Sequence, residues 1–179
     1  MANIYDVGQY ITELVPTVDK IKLYKLCYFS QGWKLAWTGR PLFQEPLQAW
    51  TSGPVPVALC NRSMPGGDST NLTTTGLRTV ESVVDFYRDK DSVELSKLSR
   101  GKAWKEARRN LPDNAHSQEV LSVTTMREEF TDLLHSTPNG PSCPPKALIP
   151  ENYSLETALA AIAKIEKTWG STLALLATR

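Results

Sequence analysis

The 179-residue chain has the length and composition of one ordinary folded domain. Hydrophobic residues make up 41% and charged residues 22%, which excludes the disordered and collagen-like classes. No apolar run reaches the roughly 20 residues that a membrane span requires. Because the formal net charge is only +1, the molecule has no overall field that would attract nucleic acid, and we expect neither a membrane nor a nucleic acid as partner.

The cysteines and the N-terminal residues indicate a cytoplasmic protein. Cys27, Cys60 and Cys143 are odd in number and widely spaced, which fits neither a disulfide framework nor a paired zinc motif. Residues 1–10 lack the charged flank and apolar run of a secretory signal. We therefore expect reduced thiols, no metal site and no cofactor.

The first forty residues predict two helices. The first has apolar residues at helical spacing, namely Ile4, Val7, Ile11 and Leu14. Asp6 and Gln9 are placed like a capping pair at its start. The second, from Val18 to Trp37, is apolar on nearly every face, which is typical of a central helix buried on several sides. Thr17 is expected to cap its start and Gly39 to end it.

The middle of the chain predicts shorter elements. Residues 40–53 suggest an ordered connection, after which Pro54 and Pro56 precede or open a short helix over Val57–Cys60. Residues 61–76 are rich in turn formers and predict a loop. Ser92 and Ser99 can each cap a further short helix. Two longer helices follow from apolar faces formed by Val80, Val83, Val84 and Tyr87, and by Val123, Met126, Phe130, Leu133 and Leu134.

These elements predict a mainly α fold. Residues 1–136 are expected to form a single compact helical domain built round one long buried helix. Residues 137–150 contain a dense set of prolines and predict a semi-rigid linker, because proline removes backbone donors and fixes φ. Residues 151–179 predict a C-terminal amphipathic helix with Leu155, Leu159, Ile162, Ile165 and Trp169 on one side. The strand candidates are short, such as Val120–Leu121.

The titratable residues do not form a recognisable catalytic motif. His116 and His135 lack the spacing of metal ligands on a helix face, and Cys27 lies in an apolar helix that favours an inert buried thiol. The carboxylates near Asp89 favour a solvated face. The basic residues around Trp104 are compatible with a nucleic-acid contact, but the same spacing suits an ordinary amphipathic helix. We expect a protein that is not an enzyme.

Two segments resemble the Panacea domain, the antitoxin domain that is also called SocA-like and is often labelled phage-associated. The first matches the family's K-L-x-K-L-x-Y-x-x-Q-G-W-x-L helix with Lys22, Leu23, Lys25, Leu26, Tyr28, Gln31, Gly32, Trp33 and Leu35. It continues through the G-x-P-L-F and E-x-x-x-A-W-x-x-G-P-V patterns with Gly39, Pro41, Leu42, Phe43, Glu45, Ala49, Trp50, Gly53, Pro54 and Val55. The second resembles L-S-x-L-T-H-x-x-x-W with Leu95, Ser96, Leu98, Ser99, Arg100 and Trp104.

The resemblance implies an antitoxin of a type II toxin-antitoxin system, which neutralises a partner toxin by direct protein–protein binding. It supplies no catalytic residues and does not identify the toxin. Ser99 and Arg100 stand where the family has Thr-His, so no role of that histidine carries over. The implied alternatives are a proteolytic adaptor that delivers a toxin to a protease, and a DNA-binding autoregulator, although we find no added helix-turn-helix.

We consider two candidate partner-binding surfaces. One surrounds the G-P-V turn and the Trp104 region, with Trp50, Gly53, Pro54, Val55, Arg100, Trp104 and Arg108. The alternative for each tryptophan is a core position, since large aromatics dominate burial. The other surface is the amphipathic C-terminal helix, which could contact the toxin, its own core or a second copy through Leu159, Ile162 and Trp169.

Overall fold

The computed structural model describes residues 2–60, 65–109, 111–136 and 139–145, and the helix α2 (Lys20–Thr38) lies at its centre. Every α2 residue from Leu23 to Leu35 is buried. The elements packed around α2 are α1 (Ile4–Leu14), α4 (Thr74–Tyr87), α5 (Ser92–Leu98), α7 (Val123–Ser136) and one strand of a small hairpin. All of them belong to one compact unit that ends at Pro144. The predicted mainly α domain around one long buried helix is confirmed.

The helix caps differ in part from the predicted ones. α1 begins with a capping box in which the Asn3 side chain accepts from the Asp6 N–H and the Asp6 side chain accepts from the Asn3 N–H, so the predicted pair of Asp6 and Gln9 is wrong. α2 is capped by Asp19 instead of Thr17. It ends, as predicted, at Gly39, whose φ of 68° is the left-handed conformation that glycine adopts without a Cβ penalty.

The later helices show the same pattern of correct elements and displaced caps. Asp91 caps α5, and α6 (Lys102–Ala107) follows Gly101, so neither Ser92 nor Ser99 is the N-cap that the sequence predicted. The predicted face of α4 is buried. On α7 only part of the predicted face is buried: Met126 and Phe130 lie in the core, whereas Val123, Leu133 and Leu134 are exposed.

A β-hairpin between α2 and α3 (Val57–Cys60) is the largest departure from the predicted elements. Strands β1 (Leu47–Trp50) and β2 (Gly53–Pro56) pair antiparallel, with Gln48 opposite Val55 and Trp50 opposite Gly53. The sequence predicted a connection here and placed the prolines at the start of a helix. The short helix does form at Val57, as predicted, but the prolines belong to the strand before it.

The hairpin tolerates prolines because of where they fall in the ladder. On its other side β1 pairs with residues 119–121 through the Ala49 N–H and the Leu47 carbonyl. Backbone groups alternate in direction along a strand, so it is Gln48 and Trp50 that face β2. Pro54 and Pro56 lie opposite the residues that face away from β2, and their missing N–H groups are not needed for pairing.

The helices α2 and α7 approach closely at Gly32. The ring of Phe130 lies so near that a Cβ at Gly32 would overlap it. Phe130 also makes edge-to-face contacts with Tyr28, Phe29 and Trp33, with ring centroids 5.4, 6.2 and 5.5 Å apart. Gly32 is therefore required by packing, since α2 is regular at this position.

The predicted loop, linker and C-terminal helix lie partly or wholly outside the described ranges. The described part of the predicted 61–76 loop contains a 3-10 turn (Ser69–Asn71), and the loop ends at Thr73, which caps α4. Residues 139–145 form neither helix nor strand, and the Ser82 hydroxyl donates to the Ser142 carbonyl at 2.7 Å. The C-terminal helix lies outside the described residues, and the boundaries of domain, linker and tail stay predictions. Every helix within the described ranges is too short or too polar to cross a bilayer.

Replacing Gly32 with alanine should destabilise the fold, because the added methyl group forces α2 and α7 apart. We expect a loss of about 1–3 kcal/mol in the free energy of unfolding, the usual cost of overpacking a close-packed core. Chemical denaturation measures it. Gly39→Asn is the control: nothing lies near its Cβ position and asparagine tolerates positive φ, so a change within about 0.5 kcal/mol is expected. Equal stability of the Gly32→Ala variant and the wild type would contradict this packing.

Candidate partner-binding surface

The hairpin is attached to α2 through the buried side chain of Lys25. Its Nζ donates to the Pro54 carbonyl oxygen at 2.9 Å, and the residue has no exposed surface. Gly53, with φ of 98°, lies against α5: a Cβ there would overlap the Ser99 hydroxyl and lie 3.0 Å from Lys25 Nζ. A glycine is required at this point both by the backbone conformation and by the approach of α5.

α6 and the turn after it hold the other strand of the hairpin. Trp104 Nε1 donates to the Trp50 carbonyl at 2.8 Å. The Arg108 guanidinium donates to the Ala49 carbonyl at 3.0 Å and to the carbonyls of Pro112 and Ala115 at 2.6 and 2.7 Å. It also lies over the Trp104 ring, 4.6 Å from the centroid. One arginine therefore joins β1, α6 and the turn that leads to residues 119–121.

Three basic side chains lie beside the hairpin: Lys25, Arg100 and Arg108. None of the ion pairs among the described residues involves Lys25, Arg100 or Arg108. The Arg100 guanidinium carbon lies 5.6 Å from the centroid of the Trp104 ring, and its buried Nε has no hydrogen-bond partner in the described part of the chain. Burial, and next the charge of Arg100, lower the pKa of Lys25 from 10.5 to about 7.

One face of the small sheet is accessible in part: it is reached along β1 and at Val120, whereas Val55 on the same face is buried. Gln48 lies directly opposite Val120, and Trp50 is two residues along β1, so the three side chains share a face. Trp50 Nε1 donates to Gln48 Oε1 at 2.9 Å, which orients the indole. Val120 is 54% exposed, while Gln48 and Trp50 are half-buried. We call Gln48, Trp50 and Val120 the hairpin face.

The structure separates the predicted site residues into those that build the hairpin and those that a partner could reach. Trp104 and Arg108 are each 1% exposed, and Gly53, Pro54 and Val55 are buried as well. Of the predicted set around the turn, only Trp50 and Arg100 are half-buried and reach the surface. The core alternative is thus confirmed for Trp104. Leu159, Ile162 and Trp169 lie outside the described residues, and their role stays a prediction.

Sequence reasoning missed Gln48 and Val120. Val120 had been noted as a strand candidate, and period-two alternation from Gln48 to Trp50 was the available signal for β1. The signal was masked by the prolines that follow. What the sequence could not show is that residues more than seventy positions apart would pair.

The residues considered for chemistry are placed as the sequence predicted. His116 and His135 are exposed, and Cys27 is fully buried in an apolar environment that raises the pKa of its thiol. In the ranges that the structure describes, no group of three or more His, Cys, Asp or Glu side chains is arranged to hold a metal ion.

The described unit is thus a mainly helical domain with a β-hairpin that is held by Lys25, Trp104 and Arg108 and is accessible at the hairpin face. Residues 23–105 match the family described as antitoxin SocA-like, Panacea domain. The match includes α2 from Leu23 onward, the hairpin, α3, α4, α5 and most of α6. No curated protein and no solved structure is significantly similar to the chain.

Lys25→Met should remove a pH dependence of stability. Lys25 has a native pKa of about 7, below its value of 10.5 in the unfolded chain, so between these values the unfolded state binds the extra proton. The free energy of unfolding of the wild type should therefore rise from pH 7 to pH 9 relative to the variant, by at most about 1.4 kcal/mol per pH unit. Urea denaturation across this range measures the difference.

Lys97→Met, which changes an exposed lysine on α5, is the matched control and should follow the wild type. A Lys25→Met variant whose stability changes with pH in parallel with the wild type would show that this ammonium titrates normally in the folded protein.

Proposed function

We propose that this protein is a non-enzymatic, cytoplasmic antitoxin that neutralises a cognate protein toxin of a type II system by binding it directly. The family match over residues 23–105 is the observation that carries the proposal. The matched residues contain the whole hairpin and the helix α5 that supports it. The proposal assigns the toxin contact to Gln48 and Trp50 of the hairpin face and to Arg100, all within the match, and to Val120, which adjoins them outside it.

The chemistry of the accessible residues supports a protein contact. Trp50 and Arg100 both adjoin Trp104, the first through the Trp50 carbonyl and the second through its guanidinium. Tryptophan and arginine are the residue types that most often dominate the energy of protein interfaces. The indole of Trp50 is oriented by Gln48, and the backbone behind it is held by Trp104 and Arg108, so little conformational entropy would be lost on binding.

The basic residues beside the hairpin indicate which charge the toxin would carry at the contact. Lys25 lies at the β2 edge of the hairpin and Arg108 at the β1 edge. Neither they nor Arg100 has an ion-pair partner among the described residues. Lys25 and Arg108 are buried and bind backbone carbonyls, whereas Arg100 reaches the surface. An acidic side chain of the toxin is therefore the group we expect opposite Arg100.

Trp50→Ala tests the proposal by co-expression of this protein with the product of the adjacent gene. If that product is the toxin, wild-type protein restores growth, and loss of a central aromatic anchor should weaken binding by about 2 kcal/mol or more, roughly thirtyfold. Calorimetric titration of the purified pair measures the affinity, and colony counts measure neutralisation.

Trp37→Ala is the matched control, since Trp37 is another half-buried tryptophan, about 18 Å along α2 from Lys25. It should bind the toxin as the wild type does. The hairpin assignment is wrong if the two variants weaken binding equally or if Trp50→Ala has no effect. The antitoxin proposal itself is wrong if the wild type neither binds nor neutralises the product.

A further inference from the structure

The two edges of the small sheet are chemically different. On the β2 edge, Pro54 and Pro56 direct their backbone away from β1 and have no N–H to offer, and the Pro54 carbonyl already accepts from Lys25. This edge cannot receive another strand, because a strand requires both donors and acceptors. If the sheet is extended by a partner, the extension must occur at the opposite edge.

The opposite edge is formed by residues 119–121. The Ala49 N–H donates to the Glu119 carbonyl and the Leu121 N–H donates to the Leu47 carbonyl, each at 2.8 Å. In this antiparallel pattern the residue between them, Val120, directs its own N–H and C=O away from β1. Neither group makes a hydrogen bond within the described part of the chain. Together they form a donor–acceptor pair that matches one residue of an added strand.

A cleft of about 330 Å³ lies between α6 and residues 119–122. Ala103, Ala107 and Val120 supply its apolar surface, and Glu106, Arg109 and Glu119 supply its charges. Arg109 has φ of 48° and is the non-glycine residue with positive φ among the described residues. Val120 itself lines the cleft, so its open backbone pair and the cleft are neighbours.

We propose that an extended segment of the partner protein adds as a strand to the 119–121 edge of this chain. The unpaired N–H and C=O of Val120 select an extended backbone, and the cleft receives a small apolar side chain of the added strand. This inference rests on the proposed function and specifies how the partner is recognised. It makes the added strand continuous with the hairpin face, because Val120 belongs to both.

The charges of the cleft indicate what the segment carries. Glu106 and Glu119 outnumber Arg109, so a lysine or arginine of the partner complements the rim. A second copy of this chain would instead bring the same two carboxylates to the interface. The occupant is therefore a basic, extended segment of another protein.

The closing experiment uses the full chain and, as probe, the purified product of the adjacent gene. Val120→Pro removes the edge N–H, which donates to no acceptor in the described part of the chain. We expect it to weaken binding about tenfold, the effect of leaving one buried backbone group of the partner unpaired. Val120→Thr keeps the N–H and changes only the side chain, so it should weaken binding much less than Val120→Pro does.

Hydrogen exchange of the wild type provides a readout that does not depend on folding of a variant. The Val120 amide should exchange rapidly in the free protein and slowly in the complex. Unchanged exchange at Val120 in a complex that forms, or wild-type affinity of a folded Val120→Pro variant, would overturn strand addition while leaving the antitoxin proposal in place. Failure of the wild type to bind the probe would instead refute the proposed function, and this inference with it.

A measurement of self-association tests whether a second copy of this chain occupies the edge instead of a partner segment. Sedimentation of the chain alone should give the same oligomeric state for the wild type and Val120→Pro. Conversion of a wild-type dimer to a monomer by this substitution would show that a second copy occupies the edge, and the proposal of a partner segment would be wrong.

Discussion

The hydrogen bond from the buried Lys25 ammonium to the Pro54 carbonyl is the constraint on which the arrangement of the hairpin depends. A β2 strand with two prolines has carbonyls on its outer edge but no N–H groups at those positions, so a donor must come from elsewhere. Lysine in the central helix provides it at the cost of burying an amine, which lowers the pKa of that amine to about 7. The same hydrogen bond thus satisfies the Pro54 carbonyl and accounts for the burial of the Lys25 amine.

Most of the residues that carry the family resemblance build this scaffold. Gln31 accepts from the Leu42 N–H and donates to the Phe43 carbonyl, which fixes the turn after α2. Glu45 accepts from the Ile4 N–H and so connects the turn to the start of α1. Gly32 and Gly53 allow close approach of Phe130 and Ser99. A domain organised in this way leaves only a few positions of its motifs, Trp50 among them, free to face a partner.

The departure from the family pattern at Ser99-Arg100 has a local physical consequence. The Ser99 hydroxyl donates to the Ser96 carbonyl at the end of α5, and Arg100 places a positive charge near Lys25. That charge adds to burial in disfavouring the protonated lysine. The half-buried Arg100 also lies beside Trp104, where an acidic partner group is expected under the proposed function.

Sequence alone determined the long buried helix, its glycine end, the apolar faces of α4 and part of α7, the exposed histidines and the buried Cys27. It also showed the resemblance of residues 23–105 to the Panacea domain. These follow from periodicity, composition and motifs that act over a few residues. Only the tertiary structure decided the hairpin, the partner of each buried cation and the exposure of individual residues. Pairing of β1 with residues 119–121 and the contacts of Lys25 and Arg108 join distant parts of the chain, and local propensity carries no information about such contacts.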